Sequence, residues 1–128
     1  MLPPDYVHRA VPAGVAPADR GRLLLLVLEA GHAFLVRARG ALEQGDVAGF
    51  AADLRRTQDA ILELTQAIDH RADAAMAASL TRLYDVMIGQ LALATAERSL
   101  AHVDEVLRTY VPIVEAYREA VGRTRAGG

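Results

Sequence analysis

Glu29-Ala30-Gly31-His32 places a carboxylate and an imidazole three residues apart. On a helix that spacing turns both side chains to one face, and di-iron carboxylate bundles use it twice in one centre. A complete centre also needs two further glutamates, and no second Glu-x-x-His occurs: His70 follows Asp69 at a turn, and His102 stands near the start of a later helix. The pattern is therefore half a site, and solvated or interhelical polar contacts are the expected use of Glu29 and His32. A phosphotransfer bundle would need an exposed histidine in mid-helix, commonly followed by Lys and small residues. His32 before Ala33-Phe34 and His102 before Val103-Asp104 lack that setting. With no nucleophile elbow or phosphate loop either, the residues predict no catalytic, cofactor or metal site.

Composition narrows the partners. The 128 residues fit one domain. They are 52% hydrophobic but only 5% aromatic, with no Trp, which predicts an aliphatic core of Leu, Val, Ala, Ile and Met and suits packed helices better than sheets. The formal net charge is −2, and every basic side chain is Arg, scattered along the chain. That distribution offers no footprint for nucleic acid or anionic lipid. The absence of cysteine excludes disulfides and thiolate chemistry and fits a reducing cytosol. Arg20 and Arg22 before the apolar run Leu23 to Leu28 imitate a signal peptide. Glu29 and His32 interrupt the run, and it is short of the ~20 residues a membrane span needs, so a buried first helix is expected and no membrane insertion.

The elements follow from punctuation and period. Five features of residues 1–18 (Pro3, Pro4, Pro12, Pro17 and Gly14) make an N-terminal arm, mobile or docked, with apolar points at Leu2, Tyr6, Val7, Val11 and Val15. Asp19 is expected to cap a first helix running to about Gln44, with Gly45 just past its end and Asp46 capping the second. Val47, Phe50/Ala51, Leu54, Ile61, Leu64 and Ile68 form the second stripe. Asp73 caps a third helix with the stripe Met76, Leu80, Leu83, Met87, Leu91 and Ala94, ending near Thr95. A fourth begins at about Ser99 and carries Val103, Val106/Leu107, Tyr110, Ile113/Val114, Tyr117 and Val121. Inside it, Pro112 should bend or split the helix. Residues 123–128 read as a frayed tail. The whole is an all-α, antiparallel up-down four-helix bundle over residues 19–122, because each stripe can be buried only against its neighbours. Leu62, Tyr84, Val86, Ile88, Leu93 and Val111 fall off the stripes and are candidates for a surface that receives an amphipathic segment.

Two phrases on consecutive helices carry a family resemblance: Gln58-Asp59-Ala60-Ile61-Leu62-Glu63-Leu64, and Leu83-Tyr84-Asp85-Val86-Met87. With the apolar blocks from about Tyr6 to Arg123, they resemble the FliS family of flagellar export chaperones. In these, a four-helix bundle binds the disordered C-terminal region of flagellin, prevents premature polymerisation and delivers the client to the export gate. Gln58, Ile61, Leu62 and Leu64 match that family's Gln-Asp-Ile-Ile-x-Glu-Leu phrase. Leu83, Tyr84, Asp85 and Met87 match its Leu-Tyr-Asp-Tyr-Met phrase, Tyr6 looks like the tyrosine of its arm, and Tyr117 sits where it often has Trp. The resemblance implies a cytoplasmic, non-enzymatic protein. Its partner-facing set, taken with the apolar residues around the phrases, is Tyr6, Val7, Gln58, Ile61, Leu62, Thr65, Tyr84, Met87, Ile88 and Leu91.

The chain also departs from the family pattern. Pro17-Ala18-Asp19-Arg20 stands for Thr-Ala-Ser-Pro, Val27-Leu28-Glu29-Ala30-Gly31 for Leu-Tyr-Asp-Gly-Ala, and the Arg-Arg and Asn expected after Met87 are replaced around Gly89, Gln90 and Thr95. Ile88 and Leu93 make that end of the third helix unusually apolar. The alternative expectation is thus a FliS-like adaptor with another partner, or a homodimer.

Overall fold

The computed structural model describes residues 17–127, with side chains over 19–123. Four helices follow one another: α1 (Pro17–Glu43), α2 (Val47–Gln66), α3 (Ala74–Glu97) and α4 (Leu100–Gly127). Tyr6, Val7 and the rest of the arm up to residue 16 lie outside the described residues. α1 opens at Pro17, two residues before the expected cap, so Asp19 lies in the first turn. Proline suits that position because the first amides have no intrahelical acceptor. Asp19 accepts a 3.1 Å bond from Arg22 and adds a negative charge at the positive end of the helix.

The turns are built as their residues predict. At the end of α1, Gly45 takes φ +76°. Its amide donates to the Leu42 carbonyl at 3.0 Å, and the Asp46 amide donates to Ala41 at 2.8 Å. This pair of bonds satisfies carbonyls that the helix end would leave open. Asp46 then serves α2, accepting from the Gly49 amide at 2.9 Å, as Asp73 serves α3 by accepting from Met76 at 3.0 Å. α3 runs past Thr95 to Glu97 and stops at Arg98, which adopts the left-handed conformation without being glycine. Ser99 accepts from the His102 amide at 3.3 Å to start α4.

α1 packs on α2 and α4, and α3 packs on the same two, whereas the backbones of the diagonal pairs stay apart among the described residues. Early in α4, Asp104 meets Arg39 near the end of α1, whereas Tyr110 and Arg118 further along meet Leu28 and Glu29 in its first half. The ring is therefore antiparallel throughout. Pro112 does not split α4, which is one helix to Gly127. Pro112 is exposed, while Ile113 and Val114 beside it are buried, so the same core holds both halves of α4.

The centre differs from the aliphatic core that composition predicts. Tyr84, Tyr110, Tyr117 and Phe50 are among its largest fully buried side chains, alongside Leu28, Leu35, Leu54, Ile61, Met87 and Leu91. Three of the four tyrosines are thus spent on packing, where a ring supplies far more area than an aliphatic side chain. On α3 the expected stripe residue Leu83 is 40% exposed, and Tyr84 takes the inner place. The two are equally spaced from Leu80 and Met87, three and four residues either way, so helical period alone cannot choose between them. Val47, placed on the α2 stripe by period, is exposed, while Asp53, Thr57 and Ala60 join the interior.

Candidate functional site

Among the described residues, grooves run along the α2–α3, α1–α2 and α3–α4 seams of the bundle. The one between α2 and α3, about 470 Å³, is lined by Ala51, Arg55, Gln58, Asp59, Leu62, Ile88 and Thr95. Here the partner-facing reading of Gln58, Leu62 and Ile88 meets a concave surface. Leu62 is 49% exposed, Gln58 and Ile88 are half-buried, and Arg55 and Asp59 give the rim one charge of each sign. α2 presents Ala51, Arg55, Gln58 and Leu62 at steps of four, three and four, so one edge of the helix forms the wall.

The structure seats four other members of the set elsewhere. Ile61, Tyr84, Met87 and Leu91 are buried in the core, because α2 and α3 turn those positions toward α1 and α4. They shape the groove from below instead of lining it. Thr65 is half-buried, and its hydroxyl donates to the Ile61 carbonyl at 2.9 Å, a bond inside its own helix that leaves it off the groove wall.

Two further grooves were not singled out by residue pattern. Between α1 and α2, Leu26, Val27, Ala30, Phe34, Arg56, Asp59, Ala60 and Glu63 enclose about 370 Å³. Arg37 and Arg56 both lie over the Phe34 ring, at 5.9 and 5.7 Å from its centroid. They are held there by the buried carboxylate of Asp53, which accepts from Arg56 at 2.8 Å and sits 3.8 Å from Arg37. Between α3 and α4, Met76, Leu80, Leu83, Pro112, Ile113 and Ala116 form a groove of about 470 Å³ with Ser79, Arg108 and Thr109 at its edge. Leu26, from the apolar run Leu23 to Leu28, lines the first of these grooves, and Leu83, expected on the core stripe of α3, lines the second.

The residues considered for chemistry are engaged in structure. Glu29 pairs with Arg118 at 3.3 Å across α1 and α4. His32 lies against the Tyr110 ring, with centroids 6.3 Å apart. His102 stands between the Gln90 amide oxygen, at 2.8 Å from Nδ1, and the Glu97 carboxylate, at 3.3 Å from Nε2. Among the described residues no group of three His, Asp or Glu side chains is placed to hold a metal ion, and no helix is long and apolar enough to cross a membrane.

Electrostatic tuning is confined to supporting contacts. Arg39 donates to both carboxylate oxygens of Asp104, at 2.8 and 3.4 Å, and also pairs with Glu43. The hydrogen bond from Arg39 holds the Asp104 carboxyl below its ordinary value, and the same bond raises Arg39. Burial pushes the Tyr110 phenol up, so it stays a hydroxyl donor. What the surface offers is apolar walls with polar rims, a geometry for holding an amphipathic chain.

Comparison with known proteins agrees with this architecture. The chain is 30% identical over 102 residues to flagellar secretion chaperone FliSB of Pseudomonas aeruginosa, an alignment spanning 80% of this chain and 81% of that protein. It is 30% identical over 115 residues to flagellar secretion chaperone FliS of Salmonella typhimurium, spanning 89% of this chain and 85% of that one. The sequence profile of the family described as flagellar protein FliS matches residues 5–124, all four helices included, and this chain belongs to that family.

Proposed function

We propose that this protein is a cytoplasmic chaperone of flagellar export that captures the disordered C-terminal segment of flagellin. The single observation that carries the reading is that Gln58 and Leu62, from a phrase that resembles the family's, line one groove between α2 and α3 with Ile88, which follows the second phrase. The secretion-chaperone names of the Pseudomonas and Salmonella relatives support the class of function. Capture buries the client's apolar face against Leu62 and Ile88, while Gln58, Arg55 and Asp59 set register at the rim. Holding that face hidden blocks assembly in the cytosol, and a reversible grip permits hand-off at the export gate. No step makes or breaks a covalent bond.

Calorimetric titration with a synthetic C-terminal flagellin segment tests the reading. One-to-one binding with a negative heat-capacity change is the expected result, since apolar surface leaves water. Absence of heat at about 100 μM, where a grip of roughly −5.5 kcal/mol would register, would transfer the protein to the adaptor class.

A further inference from the structure

The charged groups of the α2–α3 groove stand on one wall. Arg55 and Asp59 both belong to α2, with the Gln58 amide between them, and among the described residues none of the three side chains makes a hydrogen bond or ion pair. Elsewhere in the bundle, Arg22, Arg39, Arg56, Arg108 and Arg123 each pair with an acid three or four residues away on their own helix. Arg55 and Asp59 have the same order and spacing as Arg39 and Glu43, yet they stay apart. On the facing wall Ile88 offers only carbon, and the Thr95 hydroxyl already donates to the Leu91 carbonyl at 2.9 Å.

We infer that this wall selects the client by charge: Arg55 takes a carboxylate and Asp59 a cationic side chain of the flagellin segment, one helical turn apart and beside its apolar anchor. The inference rests on the proposed capture of flagellin in this groove. Arg55, Asp59 and Leu62 follow one another at steps of four and three, about 6 and 4.5 Å along the axis. A client helix lying along α2 rises at the same rate, so it meets the three with an acid, a base and an apolar side chain in that order.

Seating a segment here covers both charges and the amide. A purely apolar segment would strip water from them and return no hydrogen bond, whereas opposite charges replace what solvent supplied. Polar groups of a site therefore exclude more ligands than its apolar walls do: a missing methyl costs little, an unpaired charge much. Because Arg55 and Asp59 are not paired with each other beforehand, no ion pair between them has to be broken when the client arrives. Leu62 and Ile88 thus supply the grip, and Arg55 and Asp59 the selectivity.

Calorimetric titration of the full chain with a synthetic C-terminal flagellin segment tests the inference, using the native segment and copies in which each acidic residue is changed in turn to Lys. Arg55→Glu is expected to weaken binding of the native segment about tenfold at low salt, and by less at about 0.5 M salt, where exposed charges are screened. One Lys-substituted segment should bind Arg55→Glu more tightly than it binds the wild-type protein, which a general surface effect would not produce. Asp59→Lys should show the same reversal with a segment in which the basic residue four positions from that acid is changed to Glu. Both variants should keep the wild-type urea midpoint, because neither side chain has a partner to lose among the described residues. An Arg55→Glu protein that binds the native segment as tightly as wild type would overturn the inference, and so would a loss that no substituted segment reverses. A wild-type protein that binds no segment would defeat the proposed function and the inference with it, a result visible before any variant is compared.

Discussion

The Tyr110 hydroxyl of α4 donates a 2.8 Å hydrogen bond to the Leu28 carbonyl of α1, and it reaches that carbonyl through space left by Gly31. A Cβ on Gly31 would lie 2.1 Å from the hydroxyl oxygen and 3.1 Å from the Ala60 Cβ of α2. One missing methyl thus lets two neighbouring helices close on α1 at the same level. Gly31→Ala is expected to lower stability by about 1–3 kcal/mol despite alanine's better helix propensity, because overpacking at a rigid ring outweighs it. Tyr110→Phe should cost about 1 kcal/mol through the lost bond. In the double variant the two costs should sum to less than their separate values, as urea unfolding of all four proteins would reveal.

Leu62 and Tyr84 should separate function from folding. Leu62→Asp, on the groove wall, is expected to weaken binding of the flagellin segment tenfold or more while leaving the helical circular dichroism unchanged. Tyr84→Ala, in the core, should cost about 3–5 kcal/mol of stability whatever it does to binding. An equal loss of folding in Leu62→Asp would mean that Leu62 supports the bundle instead of the client.

Pro112 interrupts the hydrogen-bond ladder of α4 without ending it. Having no amide hydrogen, it cannot donate to the Arg108 carbonyl four residues back, and its ring crowds that carbonyl. Pro112→Ala is therefore expected to stabilise the bundle by about 1–3 kcal/mol, read as a higher urea midpoint. Destabilisation would show instead that the proline ring's packing against the α3–α4 groove outweighs the lost hydrogen bond.

Acid should loosen the α1–α4 seam. The folded-state pKa of Asp104 lies below its ordinary 3.8 because Arg39 hydrogen-bonds the carboxylate. A depressed folded value means that the unfolded chain takes up the proton first, so the stabilisation is complete above the ordinary value and disappears as pH falls through the depressed one. Arg39→Met should flatten the acid limb of the pH–stability curve between about pH 5 and pH 2 and leave the neutral-to-alkaline part parallel to wild type. Because the pair is partly exposed, salt should reduce the difference.

What the sequence made legible was local. Asp46 and Asp73 are caps, and Gly45 takes positive φ, because each acts on backbone within four residues of itself. The number of helices and their antiparallel order follow from such punctuation together with apolar stripes that can be buried only against one another. Gln58 and Leu62 could be named because a phrase of fixed spacing travels with a helix edge, and Ile88 because it is apolar beside the α3 stripe. Spacing also has a limit: Leu83 and Tyr84 satisfy the same period, and α3 rotates Tyr84 inward and Leu83 toward α4.

Only tertiary structure settled which apolar residues are buried and which line a surface, since that depends on the angle at which each helix meets its neighbours. It turned Tyr84 into the core beside Ile61, Met87 and Leu91, which their stripes had placed there, and spent three tyrosines there. It also joined residues far apart in the chain, Gly31 with Tyr110 and Asp53 with Arg37. By itself, then, the sequence determined four capped amphipathic helices and the edges they would present. Which edges face each other across a groove was decided by packing, because a side chain's neighbours on other helices are set by how rigid cylinders interlock and not by its own spacing.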